Sequence, residues 1–415
     1  MSRTVHILGA GISGLSAGVR LADAGHIVHV HEATQQVGGR CRSYFDGATN
    51  LTIDNGNHLL LSGNHHVLTY ARKIGSEAGL KGPPEARFSF IDLAADKRWT
   101  LRINDSRVPF WVFDSARRVP DTSPADYFGL APLTWAGTQT RIGDVIKCEG
   151  PLYDRLVGPL LLAALNIDPP NGSAGLAGAI VRETLLAGGQ ACRPLIASDG
   201  LSSVLIDPAI RFIRERGGSV EIGHEARSLS FDGARVNAFS LGDQTVELGA
   251  DDAVVMAVPP RSATALLPGL TAPTKFCAIV NAHFRFAPPP HLPPMMGVVN
   301  GLIEWLFAFP DRLSITISGG DRLVDRPREE LAQAIWDDIC KVAGIEAPLP
   351  AWQIVRERRA TFEASPEQNA LRPGAATQWK NLFLAGDWTD TGLPATIEGS
   401  VRSGDRAADL VLAAR

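Results

Sequence analysis

Val5, Ile7 and Leu8, interrupted by His6, form a mainly apolar run that ends in Gly9-Ala10-Gly11-Ile12-Ser13-Gly14. Such a run, closed by glycine, predicts a strand leading into a tight turn. Leu15, Gly18, Val19 and Ala22 then recur at helical spacing, and Gly25 sits where a left-handed cap would end that helix. Residues 27–31 predict a second strand, with Glu32 at its carboxyl end. Farther along, residues 210–216 read as the end of a helix stopped by Gly217-Gly218, and residues 219–222 as a strand. Residues 253–258 are apolar throughout and stopped by Pro259-Pro260, which predicts a strand in the middle of a covered parallel sheet. Residues 279–286 and 313–318 predict strands, residues 329–342 a helix, and residues 382–385 a short buried strand ending in Gly386-Asp387. From Thr396 onward, Ile397, Val401, Gly404, Ala408 and Val411 place small and apolar residues on one face of a terminal helix. Residues 65–195 read as mixed helical and irregular, broken by Pro83-Pro84 and Pro169-Pro170.

Strand, glycine turn, helix and second strand in this register predict an α/β fold with a doubly wound, Rossmann-like nucleotide-binding domain. The domain is expected to be discontinuous, built from residues 1–64, 196–265 and 371–415. Residues 65–195 and 266–370 would supply an interleaved substrate domain of mixed sheet and helices.

The chemistry of the first block is dinucleotide binding. Bare backbone at Gly9, Gly11 and Gly14 lets a pyrophosphate approach the N–H groups of a helix start. Glu32 can accept the hydroxyls of an adenosine ribose, whereas a 2′-phosphate would be repelled, so NADP is disfavoured. Over 415 residues, charged side chains make up 20%, hydrophobic ones 45%, and the net charge is −4, which suits two joined domains and argues against a nucleic-acid partner. Cys41, Cys148, Cys192, Cys277 and Cys340 form no Cys-x-x-Cys pair, so neither a zinc site nor a disulfide framework is expected. His29 with His31, and His65 with His66, lack a completing ligand and read as packed or solvated; no metal is expected. With a strand beginning at residue 4 no leader is expected, and the cytoplasm is the expected location. No stretch reaches the roughly 18 to 20 apolar residues that span a bilayer. Residues 160–165, 176–181 and 295–309 are nonetheless apolar enough to form either buried core or a lipid-facing entrance, so peripheral contact with the inner face of the membrane stays open. Trp305, Phe307 and Phe309 alternate as a half-buried strand would, and core is preferred to a ligand-lining wall. Arg356, Arg358 and Arg359 read as charged surface.

The glycine fingerprint, Glu32 followed by Gly38-Gly39-Arg40, and Leu384-Ala385-Gly386-Asp387 together resemble the flavin-dependent amine oxidase and phytoene desaturase superfamily. The resemblance implies a GR2-type FAD-binding domain and FAD as cofactor. It implies that Gly9, Gly11, Ile12, Ser13 and Gly14 hold the pyrophosphate, Glu32 and Ala33 the adenosine ribose, and Gly38, Gly39 and Arg40 the stretch towards the ribitol. Asp387, after Gly386, would bind a ribitol hydroxyl, backbone near Thr396 and Ile397 the pyrimidine edge, and Ala226 the adenine. Residues 53–58 (Ile-Asp-Asn-Gly-Asn-His) and 386–400 are, more closely, similar to the hydroxysqualene dehydroxylases of bacterial hopanoid biosynthesis. That likeness places Asn55, Gly56 and Asn57 beside the flavin and implies reductive removal of an allylic hydroxyl from hydroxysqualene. Hydride would pass from reduced flavin N5 to carbon, water would leave, and an external electron donor would recharge the flavin. Proton donors are sought in His58, then Asp54 and Glu398. Imidazole titrates near neutrality, which puts His58 first. Asp54 has turn hydrogen bonding as its competing role, and Glu398 the capping of its own helix. Desaturation or amine oxidation by FAD in the oxidising direction, and a flavin-carrying isoprenoid escort without chemistry, are the alternatives. Trp388 could be half of the aromatic pair that amine oxidation would need.

Overall fold

The structure, a computed structural model, describes residues 3–414. Five parallel strands form the first sheet in the order Ser219–Ile222, Ile27–Glu32, Thr4–Leu8, Ala253–Met256, Leu382–Leu384. The apolar segment at 253–258 thus lies next to the first strand, inside the sheet, as its unbroken hydrophobicity requires. Val5, Ile7, Val28 and Val30 face a helical layer made of Ile12–Asp23, Asp207–Glu215 and Ile397–Ala413. The opposite face, carrying Leu8, Val254, Met256 and Leu384, is covered by an antiparallel three-stranded sheet, Ala226–Asp232, Arg235–Leu241 and Gln244–Glu247. His6 and His31 point to that side and meet the edge of Phe239.

The second sheet has seven strands, in the order Trp352–Phe362, Phe276–Phe284, Arg312–Ile317, Trp305–Phe309, Met295–Val299, Ala86–Asp92, Lys97–Ile103. Neighbours run antiparallel except Met295–Val299 and Ala86–Asp92, which pair in parallel. Two of these strands correct the reading of 65–195 as helical and irregular. Phe88 and Phe90 alternate with Arg87 and Ser89, and Trp99 and Leu101 with Arg98 and Thr100, so a period of two is present in the residues themselves. Helix Arg328–Ala343 covers one face of the sheet through Leu331, Ile335 and Trp336. The other face looks towards the short helical pieces of residues 104–192.

Helix His65–Lys73 also differs from expectation. The sequence assigns it to the substrate region, but its apolar residues Val67, Tyr70 and Ala71 are buried in the core of the nucleotide layer, where it packs on the terminal helix.

The two chain ends are locked together by helix on helix. A side chain at Gly404 would bring its Cβ to 2.0 Å from Ser16 Oγ and 2.2 Å from Ser13 O, so the terminal and first helices approach without a side chain between them. Gly404→Val should therefore cost about 1–3 kcal/mol or more through overpacking, read as a fall in Tm. Gly374→Ala, where an added Cβ meets nothing within 4 Å, should leave Tm unchanged.

Candidate active site

The carboxyl ends of the parallel strands open onto a cradle of bare backbone. Gly9 takes φ +106° and donates its N–H to His31 O at 2.7 Å; a Cβ there would lie 2.6 Å from Ala257 O. Gly11 is the opposite case: an added Cβ meets no atom within 4 Å, because it would point into an open cavity. Helix Ile12–Asp23 starts there with Gly11 as its cap and no side-chain hydrogen bond, so the first-turn N–H groups and the positive end of the helix face that space. Gly14, expected beside the pyrophosphate, does not line the cavity. Its missing Cβ would sit 2.1 Å from Gly9 O and 3.1 Å from Ala257 Cβ, so this glycine serves the packing of helix on turn. Gly38 and Gly39, both left-handed, return the chain to the cradle, where Gly38 N–H meets Ala10 O at 2.8 Å.

Charged groups surround this backbone. Glu32 accepts from Ala10 N and Thr34 N, each at 2.9 Å, and from Thr34 Oγ1 at 2.8 Å. Those three bonds leave the carboxylate capacity for a further donor from the cavity. Arg40 Nη2 pairs with Asp387 Oδ1 at 2.7 Å, and a second nitrogen meets Ala360 O. Burial opposes the guanidinium charge, but Asp387 overrides it and holds Arg40 above its ordinary range. The other Asp387 oxygen has no protein partner and remains accessible to a polyol hydroxyl. The terminal helix points its first turn at the same cavity from Thr396 and Ile397, the Thr396 hydroxyl accepting only from Gly399 N.

The cavity measures about 1260 Å³ and is continuous from this cradle into the second domain. A single drug-sized ligand takes roughly 300–1,000 Å³, so there is room for a dinucleotide and part of another molecule. Ile12, Ser13, Glu32, Ala33 and Ala226 line the nucleotide end, and Asn55, Gly56, Asn57 and Gly386 the middle. The far end is walled by Phe88, Phe90, Leu101, Ile103, Leu156 and Leu160. Trp305 and Phe307, expected as core, also face the cavity; only Phe309 of that alternating set does not. They lie on the sheet face opposite Leu306 and Ile315, which pack under helix Arg328–Ala343.

Of the three candidate proton carriers, His58 alone presents a free atom to this space. Its Nδ1 lies 2.9 Å from Gly56 O, leaving Nε2 without a protein partner at the cavity. Burial pushes its pKa down, against the opposing pull of Gly56 O and Asp54. Asp54 does not reach the cavity: Oδ1 accepts from Ser43 Oγ at 2.5 Å and Leu201 N at 2.9 Å, tying a strand pair to the 200–201 turn. Glu398 is committed too: besides lying 3.7 Å from Arg402 of its own helix, it bonds a different helix. Its two oxygens accept from His66 N at 3.1 Å and Val67 N at 3.0 Å, capping helix His65–Lys73.

Three polar groups escaped the sequence reading. Asn281 and Thr316, on adjacent strands, share a 2.7 Å bond and hold Asn57, whose Nδ2 donates to Ile315 O and Thr316 Oγ1. Glu357 accepts from Asn55 at 3.4 Å and lines the cavity as well. For Asn281 the signal was a polar residue set between Val280 and Ala282; Glu357, among Arg356, Arg358 and Arg359, carried no such mark. Trp388 lines the cavity, but its indole N–H donates to Val258 O at 3.0 Å and its ring packs into the neighbouring core. No group of three or more His, Cys, Asp or Glu side chains able to hold a metal ion occurs among the described residues.

Buried imidazoles make the framework acid-sensitive. Burial first, then like charge on His6 and His29, lowers His31 to about 3; burial and His29 lower His6 to about 4. Burial and Arg312 lower His283 to about 4. Unfolded histidines bind protons near pH 6.5, so below that value the unfolded state holds more protons than the folded one. Stability is therefore full above about pH 6.5 and declines as pH falls towards the folded values. Tm measured from pH 7 down to pH 5 should drop, and His283→Asn should flatten the slope.

The family model described as flavin containing amine oxidoreductase matches residues 12–412. Hydroxysqualene dehydroxylase from Rhodopseudomonas palustris is 68% identical over 415 residues, covering 100% of this chain and 99% of the relative. The protein of the same name from Sinorhizobium fredii is 63% identical over 99% of both chains. Among solved structures, cyclohexylamine oxidase from Brevibacterium oxydans superposes with a TM-score of 0.73 at 17% identity, over 100% of this chain and 99% of that one, which shows a common fold. This chain therefore belongs to the flavin containing amine oxidoreductase family, in its hydroxysqualene dehydroxylase branch.

Proposed function

We propose that this protein is an FAD-dependent reductase that converts hydroxysqualene to squalene. The single observation that carries the reading is one cavity joining a dinucleotide cradle to a wall of aromatic and aliphatic side chains. In this reading FAD is held by residues 1–64, 196–265 and 371–415 together with helix His65–Lys73, and the isoprenoid by the rest of 65–195 and by 266–370. The first-turn N–H groups after Gly11 would meet the pyrophosphate, Glu32 the ribose, Asp387 the ribitol, and the start of the terminal helix the pyrimidine edge.

When bound and reduced, FAD supplies a hydride. The alcohol R–OH takes up one proton and one hydride and leaves as R–H and water. The chain's own work is to deliver the proton and to keep bulk water away. His58 suits the first task, since an imidazolium held below its ordinary pKa is scarcer but a stronger acid towards a poor leaving group. Phe90, Trp305 and Phe307 suit the second: they exclude water, and their faces attract the positive charge that develops at an allylic carbon. The reading includes an electron donor from outside. It also includes peripheral contact with a bilayer that supplies the hydrocarbon; no helix among the described residues is long and apolar enough to cross one.

Anaerobic mixing of reduced holoenzyme with hydroxysqualene should return the oxidised flavin spectrum and release squalene. An unchanged reduced spectrum would eliminate the reductase reading and leave an escort or an oxidising enzyme. Gly11→Val should fold, because its side chain enters empty space, yet purify colourless and refuse added FAD. His58→Ala should keep its flavin and lose about 10²–10⁴-fold in turnover. In the parent enzyme the proton-dependent rate should rise as pH falls from 7 towards the lowered His58 value; full turnover in His58→Ala would remove that residue from the mechanism.

A further inference from the structure

Six of the ten large hydrophobic side chains exposed among the described residues crowd into two touching segments. Val108, Phe110, Phe113, Phe128 and Trp135 lie within residues 108–135, and Leu186 lies beside them; the remaining four are scattered over the molecule. Phe110, Phe113, Phe128 and Trp135 are each about 60% exposed or more, with Trp135 at 72%. Their carriers are single turns of helix, Phe110–Phe113, Pro124–Phe128 and Ala131–Trp135, which project these rings outward while Trp111, Val112 and Leu133 of the same pieces are buried inward. Phe113 and Phe128 neighbour one another with ring centroids 6.4 Å apart. Gly189 N donates to Asn104 O at 2.8 Å, and Arg182 donates to Thr134 O, which fixes the segment carrying Leu186 against both ends of the patch.

The patch is the outer surface of the wall that closes the apolar end of the cavity. Trp111, Val112 and Leu133 share a core with Leu101, Ile103, Leu156 and Leu185, and the last four line the cavity. At residues 185 and 186 the two surfaces meet: Leu185 is half-buried and faces the cavity, and Leu186 is exposed on the patch. Electrostatics narrows the partner. Between residues 104 and 141, Arg107, Arg117, Arg118 and Arg141 balance Asp105, Asp114, Asp121 and Asp126, and Asp121 and Asp105 are paired with Lys97, Arg155 and Arg193, so the rim mixes both signs rather than presenting a single-sign face. Exposed Phe and Trp on a rim of mixed sign suit the boundary between headgroups and acyl chains, where aromatic rings gather and hydrophobic burial supplies the affinity.

We propose that this aromatic crown seats in the surface of a lipid bilayer and that hydrocarbon enters the cavity beside Leu185, without passing through water. The surface rests on the exposures above; the identity of the hydrocarbon rests on the function proposed in the preceding subsection. A patch of this kind left in water is costly, and a partner that removes it from water stabilises the protein.

Holoenzyme should co-float with phosphatidylcholine vesicles, to the same extent at low and high salt. A Phe110→Glu/Trp135→Glu double variant should lose at least about tenfold in vesicle partitioning while keeping its flavin and its turnover of detergent-dispersed hydroxysqualene. Leu412→Glu, at one of the scattered exposed positions, should float as the parent does. Bilayer-borne bromines should quench tryptophan fluorescence in the parent, and quench it less in Trp135→Phe. Parent protein that stays at the bottom of the gradient, or a double variant that floats equally well, would overturn the proposal. A parent dimer that the double variant dissolves would overturn it too, by assigning the crown to a second copy of the chain. Flotation without turnover of detergent-dispersed substrate would sink the function and leave the docking surface standing.

Discussion

Backbone brought against backbone, with no side chain between, is the constraint on which the rest of this structure depends. Gly404 lets the terminal helix press onto the first helix at Ser13 and Ser16, and Gly14 lets the first helix press onto the turn at Gly9. Residues nearly four hundred positions apart thereby share one surface. The Arg40 and Asp387 pair forms across that same junction, and both helix starts aim their positive ends into one space. A cradle lined by unpaired N–H groups is stable with an anionic, hydrogen-bonding occupant or with water, so closure of the fold by itself creates a site that an anionic ligand can fill.

The second sheet divides its labour by the two-residue period of a strand. Leu306 and Ile315 anchor the sheet to helix Arg328–Ala343, while Trp305 and Phe307, one position on, wall the cavity. One set of strands thus builds a core and a chamber together. The 86–103 hairpin extends the chamber wall with Phe88, Phe90, Leu101 and Ile103. Where the wall meets the cradle it turns polar. Asn57, Asn281 and Thr316 bind one another there, and His58 stands at the edge with one nitrogen committed to Gly56 and the other free. Polar atoms so enclosed cost about 1–3 kcal/mol when unpaired, and Asn57 Oδ1 is buried without a protein partner, so a donor bound at this junction would relieve that cost.

The nucleotide layer was legible because its demands are local. A covered parallel strand must be apolar throughout, a turn as tight as that at Gly9 must be glycine, and a terminal helix packed against another must carry a small stripe; each leaves a mark within a few residues. Most of the residues named from the glycine fingerprint and from the 386–397 segment do line one cavity. Gly14, Asp54 and Glu398 show the limit. Each has a residue type suited to the cavity and a place in the right segment, but Gly14 meets a turn, Asp54 meets Ser43 and Leu201, and Glu398 meets the start of another helix. Ala257 for Gly14, Leu201 for Asp54, and His66 and Val67 for Glu398 lie more than a hundred positions away and complete those roles, and nothing in local spacing encodes them.

By itself, then, the sequence determined the α/β class, the dinucleotide cradle with its acid at Glu32, and the return of the last strand and helix to that cradle. Tertiary structure alone decided that Trp305 and Phe307 line a chamber, that the hairpin at 86–103 completes its wall, that helix His65–Lys73 belongs to the nucleotide layer, and that aromatic rings at 108–135 are left facing outward. The reason is that hydrophobic burial is non-directional. It tells an apolar residue to leave water without saying whether the surface it meets will be a core, a cavity or another molecule.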